Sequence, residues 1–192
     1  MNTFIATPSQ LPIAHARRAA LVVCFAIGAS LLAAGQSREP SAASSQVAPP
    51  KLVQLVREAT TKYINVNNAT AAGYGPFLGC ISGSDHGAMG IHYVNPTLVG
   101  GGQIDSAHPQ ALIYEPTDGK MRLVGVEFIV DAATWLGSHD GPPILEGQSF
   151  LFVDSPNRYG IKSFFELHVW AWRDNPQGAF VDWNNSVTCE GQ

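Results

Sequence analysis

Apolar and polar residues follow two different periods along this chain. Between Lys51 and about Gly73 the apolar positions Leu52, Leu55, Val56, Ala59, Tyr63 and Val66 recur at three- and four-residue steps. That spacing predicts one apolar face of an amphipathic helix, closed by a C-terminal glycine. Beyond it the pattern shortens to strand-like runs at 88–94, 111–115, 121–130, 149–153, 163–172 and 179–183. Asn95-Pro96, Asp118-Gly119, Asp140-Gly-Pro-Pro143 and Asn175-Pro-Gln-Gly178 break the runs apart. Asp118-Gly119 is a hairpin signal, because a tight two-residue turn needs residues that tolerate positive φ. No helical pattern alternates with the strands, which argues against a parallel α/β sheet. The predicted fold class is α+β: an N-terminal amphipathic helix packed on a mainly antiparallel sheet or small β-barrel.

The first fifty residues follow neither period. Arg17 and Arg18 precede an uncharged run from Ala19 to Ala34, and small residues at Ala33 and Gly35 suit cleavage before Gln36. We read 1–35 as a signal peptide, 36–50 as a flexible linker rich in Ser and Pro, and 51–192 as a single globular domain. The apolar run is shorter than the roughly twenty residues of a membrane span and opens onto polar sequence. No stable membrane anchor is expected after cleavage. Cys24 lies inside the run rather than at its end, which argues against lipidation. The expected location is periplasmic or extracellular. The general export route serves, and the Arg17-Arg18 pair allows the twin-arginine route as well.

Cleavage leaves about 155 residues, enough for one domain with a core and too few for two. The formal net charge of the whole chain is −4, and no stripe of Lys and Arg remains in the mature part. Nucleic acid is therefore not an expected partner. Of three cysteines only Cys80 and Cys189 survive, and in an oxidising compartment they are expected to form a disulfide. Closing so long a loop contributes on the order of 4 kcal/mol in the chain-entropy model. The alternative, Cys80 as a nucleophile, lacks any local cysteine-hydrolase signature.

Three polar residues interrupt the strand runs: His92 in 89–94, Glu127 in 121–130 and His168 in 164–172. Burying such groups without partners costs several kcal/mol, so each must find a hydrogen bond or a metal. Strand parity puts Glu127 on a face with Leu123, Gly125 and Ile129, and puts Val124, Val126, Phe128 and Val130 on the other. Both faces are then buried, and a curved sheet could aim His92, Glu127 and His168 into one interior. Two imidazoles and a carboxylate with open positions form the ligand type of non-haem iron(II) oxygenases and of catalytic zinc sites. A hydrogen-bonded core network and a metal-free acid/base pair satisfy the same residues.

His86, in a Gly-rich turn close to His92, is a further candidate as fourth ligand or proton shuttle. His108 and His139 read as loop residues. Tyr93, Trp170 and Trp172 could line a pocket for a small-molecule ligand or substrate, or belong to the core. The glycines lack the spacing and GK[ST] ending of nucleotide-binding loops, and neither His-Glu-x-x-His nor Gly-x-Ser-x-Gly occurs. Glu127 and Glu166 are the nearest pair for glycoside hydrolysis, with nothing to select them.

The segments Gly87–Asn95, Tyr114-Glu-Pro116, Leu123–Glu127 and Leu167–Gly178, with Asp182-Trp-Asn184 and Cys189, resemble a family of exported bacterial proteins of unassigned function. The resemblance covers roughly residues 50–190 and implies secretion and a shared fold, with no activity attached. A looser similarity is to cupin barrels, which also hold a metal with His and Glu from several strands. This chain lacks their His-x-His with a close downstream Glu. Taken together, the sequence points to an exported metal-binding protein carrying a divalent transition metal, in the manner of a small oxidoreductase-like metalloenzyme. The alternative is a non-catalytic extracytoplasmic binding module with an aromatic-lined pocket.

Overall fold

The computed structural model describes residues 48–192, so the expected signal peptide and nearly all of the linker lie outside the described residues. α1 (Lys51–Thr60) buries Leu52, Val53 and Val56, then yields to a 3₁₀ turn (Thr61–Ile64) and to α2 (Val66–Ala71). The continuous helix expected up to Gly73 is thus interrupted. Thr60 and Thr61 donate their hydroxyls to the carbonyls of Val56 and Arg57 at 2.6 and 2.7 Å, and such local bonds compete with helix propagation. Asn65 restarts the helix by accepting the N–H of Asn67 on its side chain. Gly73, at φ +91°, then turns the chain into the sheet.

The strands are β1 (Gly75–Gly83), β2 (Gly87–Val94), β3 (Ala111–Thr117), β4 (Lys120–Asp131), β5 (Ile144–Leu145), β6 (Gln148–Ser149), β7 (Leu151–Val153) and β8 (Phe164–Val169). Six of them form one antiparallel sheet, curled like half a barrel, in the order β1-β2-β3-β4-β8-β7. β5 and β6 pair only with each other. α3 (Pro96–Gly101) joins β2 to β3, and α4 (Ala132–Leu136) follows β4. Helices with a mainly antiparallel sheet make the class α+β. Asp118 and Gly119, at φ +49° and +73°, form the two-residue turn between β3 and β4. β1 has no counterpart in the periodic pattern, because Gly75-Pro-Phe-Leu-Gly79 reads as a turn. It is an edge strand with register shifts after Phe77 and Ile81, the setting that tolerates Pro and Gly.

One face of the sheet carries the main apolar core. Leu112, Tyr114, Leu123, Val126, Phe128, Val130, Phe165, Leu167 and Val169 meet Leu52, Val53 and Val56 of α1 and Ala69 of α2 there. The opposite face holds a smaller cluster of Ala88, Ile113, Val124, Trp170 and Val187. A bulge separates the two sets on β4. Ile113 pairs with Gly125 but Tyr114 pairs with Leu123, which leaves Val124 as the extra residue. Leu123 therefore joins the main core and Val124 the opposite face, the reverse of their placement by simple alternation. An added residue in one strand flips the parity of everything before it.

The C-terminal segment closes over the smaller cluster. Ala88 and Asn184 exchange both backbone hydrogen bonds at 3.2 Å. Gly87, at φ +72°, lets this approach occur, since a Cβ there would lie 2.2 Å from the Asn184 carbonyl oxygen. Cys80 of β1 is disulfide-bonded to Cys189, closing a loop of 109 residues. Residues 179–183 run as turns rather than as the expected strand. The backbone N–H of Trp170 donates to Ala179 and its indole to Val181, so one residue holds the segment and no ladder continues.

Candidate metal centre

The sheet register brings the candidate ligands together from three strands. Glu127 on β4 lies directly opposite His168 on β8, and Ala111 on β3 continues that row beside Glu127. His92 on β2 is opposite Ile113, two residues along β3 and therefore on the same face. Gly125 matters to this arrangement, because a Cβ there would meet the Val169 carbonyl oxygen at 2.8 Å and force β4 from the end of β8.

The resulting side-chain cluster is tight and dry. Nε2 of His92 is 3.3 Å from Nε2 of His168 and 3.4 Å from Oε2 of Glu127. One ligand atom from each of the three residues lies within 4.8 Å of the others. His92, Glu127 and His168 are only 5%, 5% and 2% exposed, so bulk solvent does not reach them. Four bonds of about 2.0–2.2 Å in a tetrahedron put ligand atoms about 3.3–3.6 Å apart. The two observed separations fall in that window and are long for hydrogen bonds.

Electrostatics favours neutral imidazoles here. Burial lowers His92 to about 4 and takes His168 well below the ordinary imidazole range, with His92 adding to the effect on His168. Burial raises Glu127 well above the ordinary carboxylate range, and the neighbouring Glu166 and Asp182 raise it further. The ring nitrogens thus keep their lone pairs near neutral pH, as a metal requires. Among the described residues, Nδ1 of His92, Nδ1 of His168 and Oε2 of Glu166 are buried without a hydrogen-bond partner.

Two acidic residues extend the cluster. Glu166 shares the face of His168 on β8, and Asp182 from the C-terminal segment puts Oδ1 3.6 Å from Nδ1 of His168. Glu166, His168 and Asp182 form a second group with ligand atoms within 4.8 Å. Burial raises the pKa of both Glu166 and Asp182. Asp182 was not among the residues picked from strand parity. Its one signal in the sequence is an acid inside the apolar run Ala179-Phe-Val-Asp-Trp183. A surface cleft of about 400 Å³ reaches Asp182 and is lined also by His86, Leu151, Gln177, Phe180, Val181 and Trp183.

The remaining candidates are dispersed. His86 is exposed and lies against Trp183 at the mouth of that cleft, outside the ligand cluster. Tyr93 packs edge-on against Tyr114 of the main core, with ring centroids 4.9 Å apart. Trp172 also borders that core and donates its indole N–H to Thr60. Trp170 belongs to the opposite face and lies parallel to His168, with centroids 6.3 Å apart. The three aromatic residues thus occupy both faces of the sheet. Comparison of the chain with family models, curated proteins and solved structures finds no match.

Proposed function

We propose that His92, Glu127 and His168 hold a divalent transition metal and that the protein is an exported metal-binding protein. The observation that carries this is the spacing of three buried donor atoms, at the separations of a metal's ligands and with neutral imidazoles. Two imidazoles and one carboxylate leave coordination positions open, which is the requirement for oxidoreductase-like chemistry on a small organic molecule. The nearest surface cleft reaches Asp182, whose carboxylate lies 3.6 Å from the His168 ring. Export is supported by the Cys80 to Cys189 disulfide, by the signal-like N-terminus and by the resemblance to an exported bacterial family. Among the described residues no helix is long and apolar enough to cross a membrane.

Elemental analysis of the mature protein, purified from its export compartment without a His-tag, tests this reading. Bound iron, copper, manganese or zinc is expected, and loss of it in His92→Ala and His168→Ala with the circular dichroism spectrum retained. A metal-free protein that takes up none of these ions on addition would return the cluster to a structural role.

A further inference from the structure

We propose that Glu166, His168 and Asp182 form a second cation site, joined to the first through the His168 ring. This rests on the metal reading of His92, Glu127 and His168. The geometry of His168 makes the case. Its Nε2 faces Nε2 of His92, while its Nδ1 points the other way, 3.6 Å from Oδ1 of Asp182. That separation is too long for a hydrogen bond and falls within the ligand spacing of a metal. Were Asp182 only the acceptor that orients His168, the Nδ1–H should donate to it at about 2.7–2.9 Å. Instead, among the described residues, Nδ1 of His168 and Oε2 of Glu166, both at least nine-tenths buried, have no hydrogen-bond partner, although the Glu166 carboxyl lies within reach of the Glu127 carboxyl.

Charge supports a pair of ions. Glu127, Glu166 and Asp182 converge on His168, and among the described residues no Lys or Arg pairs with any of them. Once His168 binds on both sides its ring has given up both protons. Binding displaces the protons that burial favours on Glu127, Glu166 and Asp182, and three carboxylates with one imidazolate then balance two divalent cations. Asp182 is held in place for this role. Trp170 fixes the segment just ahead of Asp182, donating its backbone N–H to the carbonyl of Ala179 at 2.9 Å and its indole N–H to that of Val181 at 2.6 Å. Of the three residues of this second group, Asp182 borders the surface cleft, while Glu166 and His168 are buried behind it. The ligand class is a divalent transition cation that accepts imidazole and carboxylate together, such as copper or zinc.

The test is titration of the metal-free, untagged mature protein with Cu(II), read by bound stoichiometry and by electron paramagnetic resonance. About two equivalents are expected to bind, the second lowering the signal as the two spins pair across the shared ring. Asp182→Asn and, as an independent variant, Glu166→Gln should each bind about one equivalent and show no such loss. One equivalent in the wild type, with Asp182→Asn changing only its affinity, would overturn the second site and leave the first standing. Two equivalents with fully additive signals would overturn the shared ring. No binding at all would remove both this inference and the proposed function.

Discussion

The two faces of the sheet differ in what they do for the molecule. The helix-covered face gathers eighteen buried apolar residues in a single cluster, while the opposite face gathers five beside a knot of imidazoles and carboxylates. A buried Leu, Val or Phe side chain contributes about 1.5–3 kcal/mol, so the first face supplies most of the folding free energy. The second face works against it, because buried titratable groups without partners cost stability unless a ligand compensates them. That division places the chemistry where the fold can carry a local penalty, and the C-terminal segment and disulfide keep that face shut.

Four variants probe the division, in descending order of effect. Phe128→Ala empties a fully buried position in the main core and should cost about 3–5 kcal/mol in urea unfolding. A cost below 1 kcal/mol would mean that the helical face does not dominate stability. Replacing Cys80 and Cys189 together by Ser should cost about 2–5 kcal/mol under oxidising conditions, measured the same way. If stability hardly changes, Asn184 and the Arg173 bonds to Ser186 hold the tail without the bridge.

Gly125→Ala should cost about 1–3 kcal/mol, because its Cβ would press on the Val169 carbonyl. Since Glu127 faces His168 two residues further along the same ladder, metal affinity should fall with stability. Unchanged affinity in a competition assay would separate the ladder from the site. Glu127→Gln sharpens the contrast most finely. Removing an acid that burial already disfavours should leave metal-free stability within about 1 kcal/mol of wild type or raise it, while metal uptake is lost. A destabilisation of several kcal/mol instead would mark Glu127 as part of a structural hydrogen-bond network.

Much of the architecture was legible because it depends on local pattern. Periodicity located β2, β3, β4 and β8, Asp118-Gly119 located their central hairpin, and polar interruptions in apolar strands located His92, Glu127 and His168. β1 was missed because an edge strand can be built from Gly and Pro when only one neighbour asks for its hydrogen bonds. The placement of Leu123 and Val124 was reversed because the bulge depends on Tyr114 skipping a partner, a fact of strand pairing that β4 alone does not encode. Which face Tyr93, Trp170 and Trp172 join follows from register, which side-chain type does not encode.

The residues themselves thus determined the α+β class, the hairpin and the identity of three buried donors, since these follow from period, turn chemistry and the cost of burying polarity. Only the tertiary structure decided which donors meet. His168 lies opposite Glu127 through strand register, and Asp182 reaches the far side of the same ring because Trp170 folds a distant segment back over the sheet. Contacts between residues far apart in sequence depend on register and chain reversal, and neither is written in any local run.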